Sequence, residues 1–240
     1  AKETFNHRVA CYQIGRELFR QEFPHLADRI VHLRDINTDT LEVGYPELLE
    51  LLARLPLSIT REEIAARLDA DCCRRIFAGH SDACRDYPVR PVVLYGLAEM
   101  ARSLRAPALL ARGDIAAFGR WMHRSHDGDR VVTWAHDAAT PYRVDCGDAA
   151  LADLAARARA GDPGADLTEQ VGAYACSLPK IDFIADTARA VPGVAGAQLA
   201  GAGLGGCVMV LVRLEAVDLL TRRLTDRYYA AEGLDPTIYT

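Results

Sequence analysis

Residues 201–212 read GAGLGGCVMVLV, and four of the first six are glycine. Gly201, Gly203 and Gly206 satisfy the G-x-G-x-x-G spacing of dinucleotide-binding loops. That mechanism needs a strand before the glycines and a helix after them, so that the helix N-terminus meets the pyrophosphate. Here the glycines lead instead into Cys207, Val208, Met209, Val210, Leu211 and Val212, an apolar run rich in β-branched residues and stopped by Arg213, which predicts a fully buried strand. The helix is missing, and no Lys-Ser or Lys-Thr pair comes after the glycines as a P-loop requires. The stretch is therefore a glycine turn between two strands, 195–199 and 207–212, where backbone approaches either another backbone or a phosphate without side-chain obstruction. A plain tight hairpin is the competing reading.

Outward from this turn the pattern is regular. Ser177 is placed to cap a helix that tolerates Pro179 in its first turn and carries Ile181, Ile184, Ala185 and Ala188 on its buried stripe. Beyond the second strand, Leu220, Leu224 and Tyr228 predict a helix over 216–231, and the closing PTIYT predicts a final strand. The resulting αββαβ order over about 177–240 is most of a ferredoxin-like split βαβ arrangement, an α+β sandwich with helices on one side of a sheet.

Residues 6–126 are helical in pattern. Val9, Ile14, Leu18 and Phe19 recur at helical spacing before Pro24, a second helix falls near 46–55, and Thr60 with Glu63 forms a capping box that opens a third. This pair of helices resembles a helix-turn-helix but lacks a basic recognition face. Over 87–111 the apolar positions are Val93, Leu97, Met100, Leu104 and Leu109, with Glu99 and Arg102 as an ordinary i, i+3 pair. Gly113 stops that helix and Asp114 caps the next, where Ile115, Phe118, Met122 and His126 share one face. His126 is thus expected to point inward as a structural histidine, with His123 on another face. Residues 127–170 are polar and less periodic, which suits an insertion or surface excursion.

Composition narrows the function classes. A formal charge of −5, with arginines dispersed along the chain, leaves no electrostatic footprint for nucleic acid or a membrane surface. Nothing approaches a transmembrane span or a signal peptide, so cytoplasm is the default. Seven cysteines are an odd number for a disulfide framework. Cys72, Cys73, His80 and Cys84 invite a zinc reading, yet vicinal cysteines open a tetrahedral site awkwardly and no C-x-x-C pair supports them, so buried thiols on a helix are the better account and no metal site is assigned.

Several blocks carry a family resemblance: ALLARGDIAAFGRWMHRSH at 108–126, CSLPKID at 176–182, AVPGVAGAQLAGAGLGGCVMVLV at 190–212, and FNHRVACYQ with LRDI between 5 and 36. Their sequence and order resemble the carboxyl-terminal half of galactokinases, within the GHMP small-molecule kinases, and the glycine stretch is similar to that family's third motif. The resemblance implies an ATP-dependent kinase acting with Mg²⁺ on the anomeric hydroxyl of a hexose. It also implies that Gly201, Ala202, Gly203, Leu204, Gly205 and Gly206 form a nucleotide- or phosphate-side loop. The family's phosphate-cradling loop, acidic sugar motif and catalytic Asp and Arg belong to an amino-terminal half that these 240 residues do not contain. No catalytic residue is therefore assigned here, the missing amino-terminal domain becomes the expected partner, and this stretch alone is expected to be inactive. Ala1 is not Met, which fits a chain beginning mid-protein.

The departures are specific. Phe5 stands where the family presents a sugar-contacting Tyr, residues 127–170 intervene where relatives pass from Ser-His to the Ser-x-Pro helix within a few residues, and Lys180 replaces the Glu after that Pro. They leave the hexose open. They also admit an alternative, a non-catalytic galactokinase-like sensor that binds sugar and nucleotide and regulates a partner.

Overall fold

The computed structural model describes residues 2–135, 137–201 and 206–240. In chain order the helices are α1 (Lys2–Glu22), α2 (Thr38–Leu41), α3 (Tyr45–Leu52), α4 (Arg61–Arg67), α5 (Ala70–Phe77), α6 (Val89–Ala111), α7 (Ile115–Asp129), α8 (Asp148–Arg159), α9 (Pro179–Arg189), α10 (Val217–Leu224) and α11 (Ala230–Glu232). The strands are β1 (Ile59–Thr60), β2 (Asp86–Tyr87), β3 (Val132–Ala135), β4 (Ala138–Pro141), β5 (Val194–Leu199) and β6 (Val208–Val212). They pair antiparallel as β1–β2, β3–β4 and β5–β6, which makes the chain α+β. It forms two compact units, residues 2–103 with 144–174 and residues 104–143 with 175–240.

The first unit is helical. α1 buries His7, Ala10, Cys11, Ile14, Leu18 and Phe19 at steps of three and four, the period that puts them on one stripe. The capping box that opens α4 is present: Glu63 N–H donates to Thr60 Oγ1 at 3.2 Å and Thr60 N–H to Glu63 Oε2 at 2.8 Å. Two buried arginines tie the 144–174 segment in. Arg90 donates to the carbonyls of Leu55 (2.9 Å), Ala53 (2.8 Å) and Cys146 (3.1 Å) and pairs with Asp148. Arg102, beyond its Glu99 partner, donates to the carbonyls of Thr168 (2.8 Å) and Gln170 (2.7 Å). Leu49 of α3 packs on Leu154 and Ala155 of α8. Residues 127–170 thus carry the β3–β4 hairpin and a packed helix where the sequence predicts a less regular excursion.

In the second unit, Ala188, Val191, Ala197, Leu220 and Leu224 form a core that gathers Ile184, Val194, Val210, Val212, Tyr229 and Ile238 around it. α9 and α10 cover one face of the β5–β6 pair. Three expectations need correction. The 236–240 stretch is not a strand: Ile238 packs on the core while residues 235–240 have no regular structure, so a single anchored side chain produced the strand-like pattern. β6 is only half-buried, with Met209 47% exposed. Leu104 and Ile115, expected inside, are 83% and 44% exposed.

Candidate functional site

The glycine loop is an extension of the β5–β6 hairpin. Ala200 N–H donates to Cys207 O at 2.8 Å and closes the loop at its base. Gly201 turns out of the strand at φ +76°, a backbone that L side chains seldom adopt, and a Cβ there would meet open space. At the other end a Cβ on Gly206 would come 3.0 Å from Ala200 O. Ala202, Gly203, Leu204 and Gly205 lie outside the described residues.

The strand that feeds this loop is held by α7 along the edge of β5 away from β6. Close approach is obligatory: a Cβ on Gly119 would stand 2.1 Å from Ala195 O, and one on Gly196 2.8 Å from Gly119 Cα. With the chains this near, two histidines of α7 accept the outward amides of β5. Ala197 N–H donates to His123 Nδ1 and Leu199 N–H to His126 Nδ1, each at 3.2 Å. A helix thereby satisfies strand donors that would otherwise be orphaned. Both rings must keep Nδ1 unprotonated to do this. Burial, and then the cations Arg130 and Arg189, push His126 down to about 3, and burial with Arg189 also lowers His123. His126 is 1% exposed and already spends its free lone pair on the strand, which excludes it as a general base.

Beneath the histidines lies a charged network. Asp182, fully buried, accepts from Ser177 Oγ (2.6 Å) and from the amides of Val131 (2.9 Å) and Val132 (3.0 Å), with His126 Nε2 at 3.4 Å from Oδ1. Burial pushes its carboxyl above the ordinary range, against the pull of those donors. Ser177 therefore serves Asp182 and does not cap α9, whose N-cap is Leu178 with no side-chain bond. One turn along, Asp186 takes a fork from Arg130 (2.9 and 2.7 Å) and the amide of Trp134 (2.9 Å). Arg189 bridges His123 Nδ1 (3.0 Å) and Asp127 (3.1 Å). Asp127, Arg130, Asp182, Asp186 and Arg189 were missed at the sequence level. The i, i+4 carboxylates at 182 and 186 on an otherwise apolar stripe were the available signal.

Phe5 lies half-buried on α1 of the first unit, whereas the loop belongs to the second. Cys72 and Cys73 are buried on α5, with Cys73 Sγ 3.7 Å from Leu68 O, and His80 Nε2 lies 2.7 Å from Tyr87 Oη. Burial raises the Cys72, Cys73 and Cys84 thiols. Among the described residues no three His, Cys, Asp or Glu side chains converge as a metal site, and no helix is long and apolar enough to cross a membrane.

A small α+β unit whose glycine loop prolongs a hairpin braced by a helix is what this stretch of chain supplies, and residues 147–230, which include the loop, match the family described as GHMP kinases C terminal. The chain is also similar to curated galactokinases. It is 32% identical over 152 residues to a galactokinase of Roseiflexus sp. (strain RS-1), covering 63% of this chain and 28% of the relative. It is 26% identical over 214 residues to Homo sapiens galactokinase, covering 83% and 44%. It is also 26% identical over 246 residues to Streptomyces coelicolor galactokinase, covering 96% and 51%. The chain thus spans between about a quarter and half of the length of these curated relatives.

Proposed function

We propose that this chain is the carboxyl-terminal part of an ATP-dependent, cytoplasmic sugar kinase that transfers the γ-phosphoryl group of ATP to the anomeric hydroxyl of a hexose with Mg²⁺. The observation that carries the reading is that the glycine loop falls inside the segment matching the GHMP kinases while the relatives are galactokinases. Phosphoryl transfer is catalysed by positioning and electrostatic stabilisation, and a loop opened by a positive-φ glycine can turn backbone N–H groups toward phosphate oxygens. In this reading residues 201–206 are the phosphate-side wall, Phe5 is on the sugar side, and the β5–β6 pair with its helices belongs to a ferredoxin-like core. In this reading the groups that hold Mg²⁺ and activate the hydroxyl belong to the amino-terminal half that the resemblance implies.

The second reading, a sugar and nucleotide sensor that regulates a partner without turnover, draws on Phe5, which removes a hydroxyl from the sugar side. A coupled ADP-release assay over a panel of hexoses, run on this chain and on the complete protein, separates the readings. Turnover on the order of 1–100 per second is expected for the complete protein alone. Turnover by the 240-residue chain overturns the division of labour, and binding of sugar and ATP without ADP release by the complete protein favours the sensor.

A further inference from the structure

The β3–β4 hairpin sits against α9 and walls a surface cleft of about 320 Å³ lined by Trp134, Phe183, Asp186, Thr187, Arg223 and Arg227. One side of it is aromatic and fixed: Trp134 Nε1 donates to Pro179 O at 2.8 Å, and its ring meets Phe183 edge-on with centroids 5.1 Å apart. The other side is cationic. Arg223, on α10, makes no side-chain hydrogen bond or ion pair among the described residues. Arg227 stands over the Phe183 ring, its Cζ 5.7 Å from the centroid, and meets Asp137 at 2.7 Å. That carboxylate is 87% exposed, so the pair is weak and an incoming anion can replace it. The carboxylate inside the cleft, Asp186, is already neutralised by the Arg130 fork and the Trp134 amide. Arg227 belongs to a π-helical turn, Thr225–Tyr229, inserted directly after α10, an irregularity that recurs where a helix re-aims a side chain for function.

We propose that this cleft binds a phosphorylated monosaccharide, its phosphate on Arg223 and Arg227 and the apolar face of its ring against Trp134 and Phe183. The size argues for one ring and one phosphate, because the volume is at the low end for ligand sites. Guanidinium forks suit phosphate oxygens, and neither arginine alone distinguishes a sugar phosphate from free phosphate; the aromatic wall does. The site lies on the hairpin side of α9 and its occupancy requires no turnover.

Isothermal titration of the protein with glucose 6-phosphate, a hexose 1-phosphate, inorganic phosphate, glucose and AMP tests it. A hexose phosphate is expected to bind at least tenfold more tightly than inorganic phosphate or glucose. Arg223→Ala, at an exposed position where folding is not at stake, is expected to weaken that binding at least tenfold, and Arg223→Lys to restore only part of it. Inorganic phosphate binding as tightly as the sugar phosphates, AMP being preferred to them, or an unchanged affinity in Arg223→Ala would each overturn the proposal.

Discussion

Gly119 and Gly196 face each other where α7 meets β5, and a methyl group on Gly119 would collide with the Ala195 carbonyl, which is backbone and cannot turn away. Gly119→Ala is therefore expected to cost about 3 kcal/mol, the upper end for overpacking, read as the shift of a urea midpoint. Gly201→Ala meets no neighbour and carries only the backbone penalty of a positive φ, about 1 kcal/mol, so the two alanines should separate clearly in the same titration. His126 gives a pH signature. Its native value of about 3 lies below the unfolded 6.5, so the unfolded chain binds more protons between them, and stability present above pH 6.5 drains away as the pH falls through that window. The slope from this ring is at most about 1.4 kcal/mol per pH unit. Asp182, raised above its ordinary value by burial, works in the opposite sense. His126→Gln should flatten the fall in urea midpoint between pH 6.5 and 5, and an unchanged slope would show that other groups, such as His7 at about 4, carry it. At Phe5, a tyrosine hydroxyl able to reach a sugar is worth about 0.5–1.5 kcal/mol, so Phe5→Tyr in the complete protein should tighten hexose binding severalfold. No change for any hexose would remove Phe5 from the site.

At the scale of elements, starts and stops written in adjacent residues came out as read. Asp114 accepts the Ala117 amide at 3.0 Å, Gly113 ends α6 at φ +69°, and Thr60 pairs with Glu63. Each involves a bond spanning three or four residues, so the chain needs no distant partner to make it. Ser177 differs because its partner is set by non-local packing: the hydroxyl that suits an N-cap binds Asp182, five residues on, once that carboxylate is buried against the Val131 and Val132 amides. The staples between elements are equally non-local. Arg130→Ala would leave the Asp186 carboxylate without its fork, and about 3–5 kcal/mol of stability should be lost in the second unit. Arg102→Ala strands the Thr168 and Gln170 carbonyls in the first, at about 3 kcal/mol.

Over the whole molecule each unit carries a hydrophobic cluster of its own, Leu49, Leu154 and Ala165 in the first and Val191, Ala197 and Leu220 in the second. Local opening should follow that division. In Arg102→Ala, amide exchange is expected to quicken in α3 and α8 while β5 and α9 stay protected, measured by mass spectrometry of peptides. Uniform acceleration would mean that the units unfold as one. The sequence alone determined the helical register of α1, the caps at Thr60 and Asp114, the inward turn of His126 and the two strands about the glycines. All of these depend on period or on near neighbours, which a linear string records. Only the tertiary structure decided that α7 lies along the edge of β5, that Arg130 grips Asp186 and that the closing residues anchor through Ile238 without forming a strand. It alone made α8 part of a packed unit. These outcomes depend on which buried donors and carbonyls, far apart in the chain, must find each other once water is excluded.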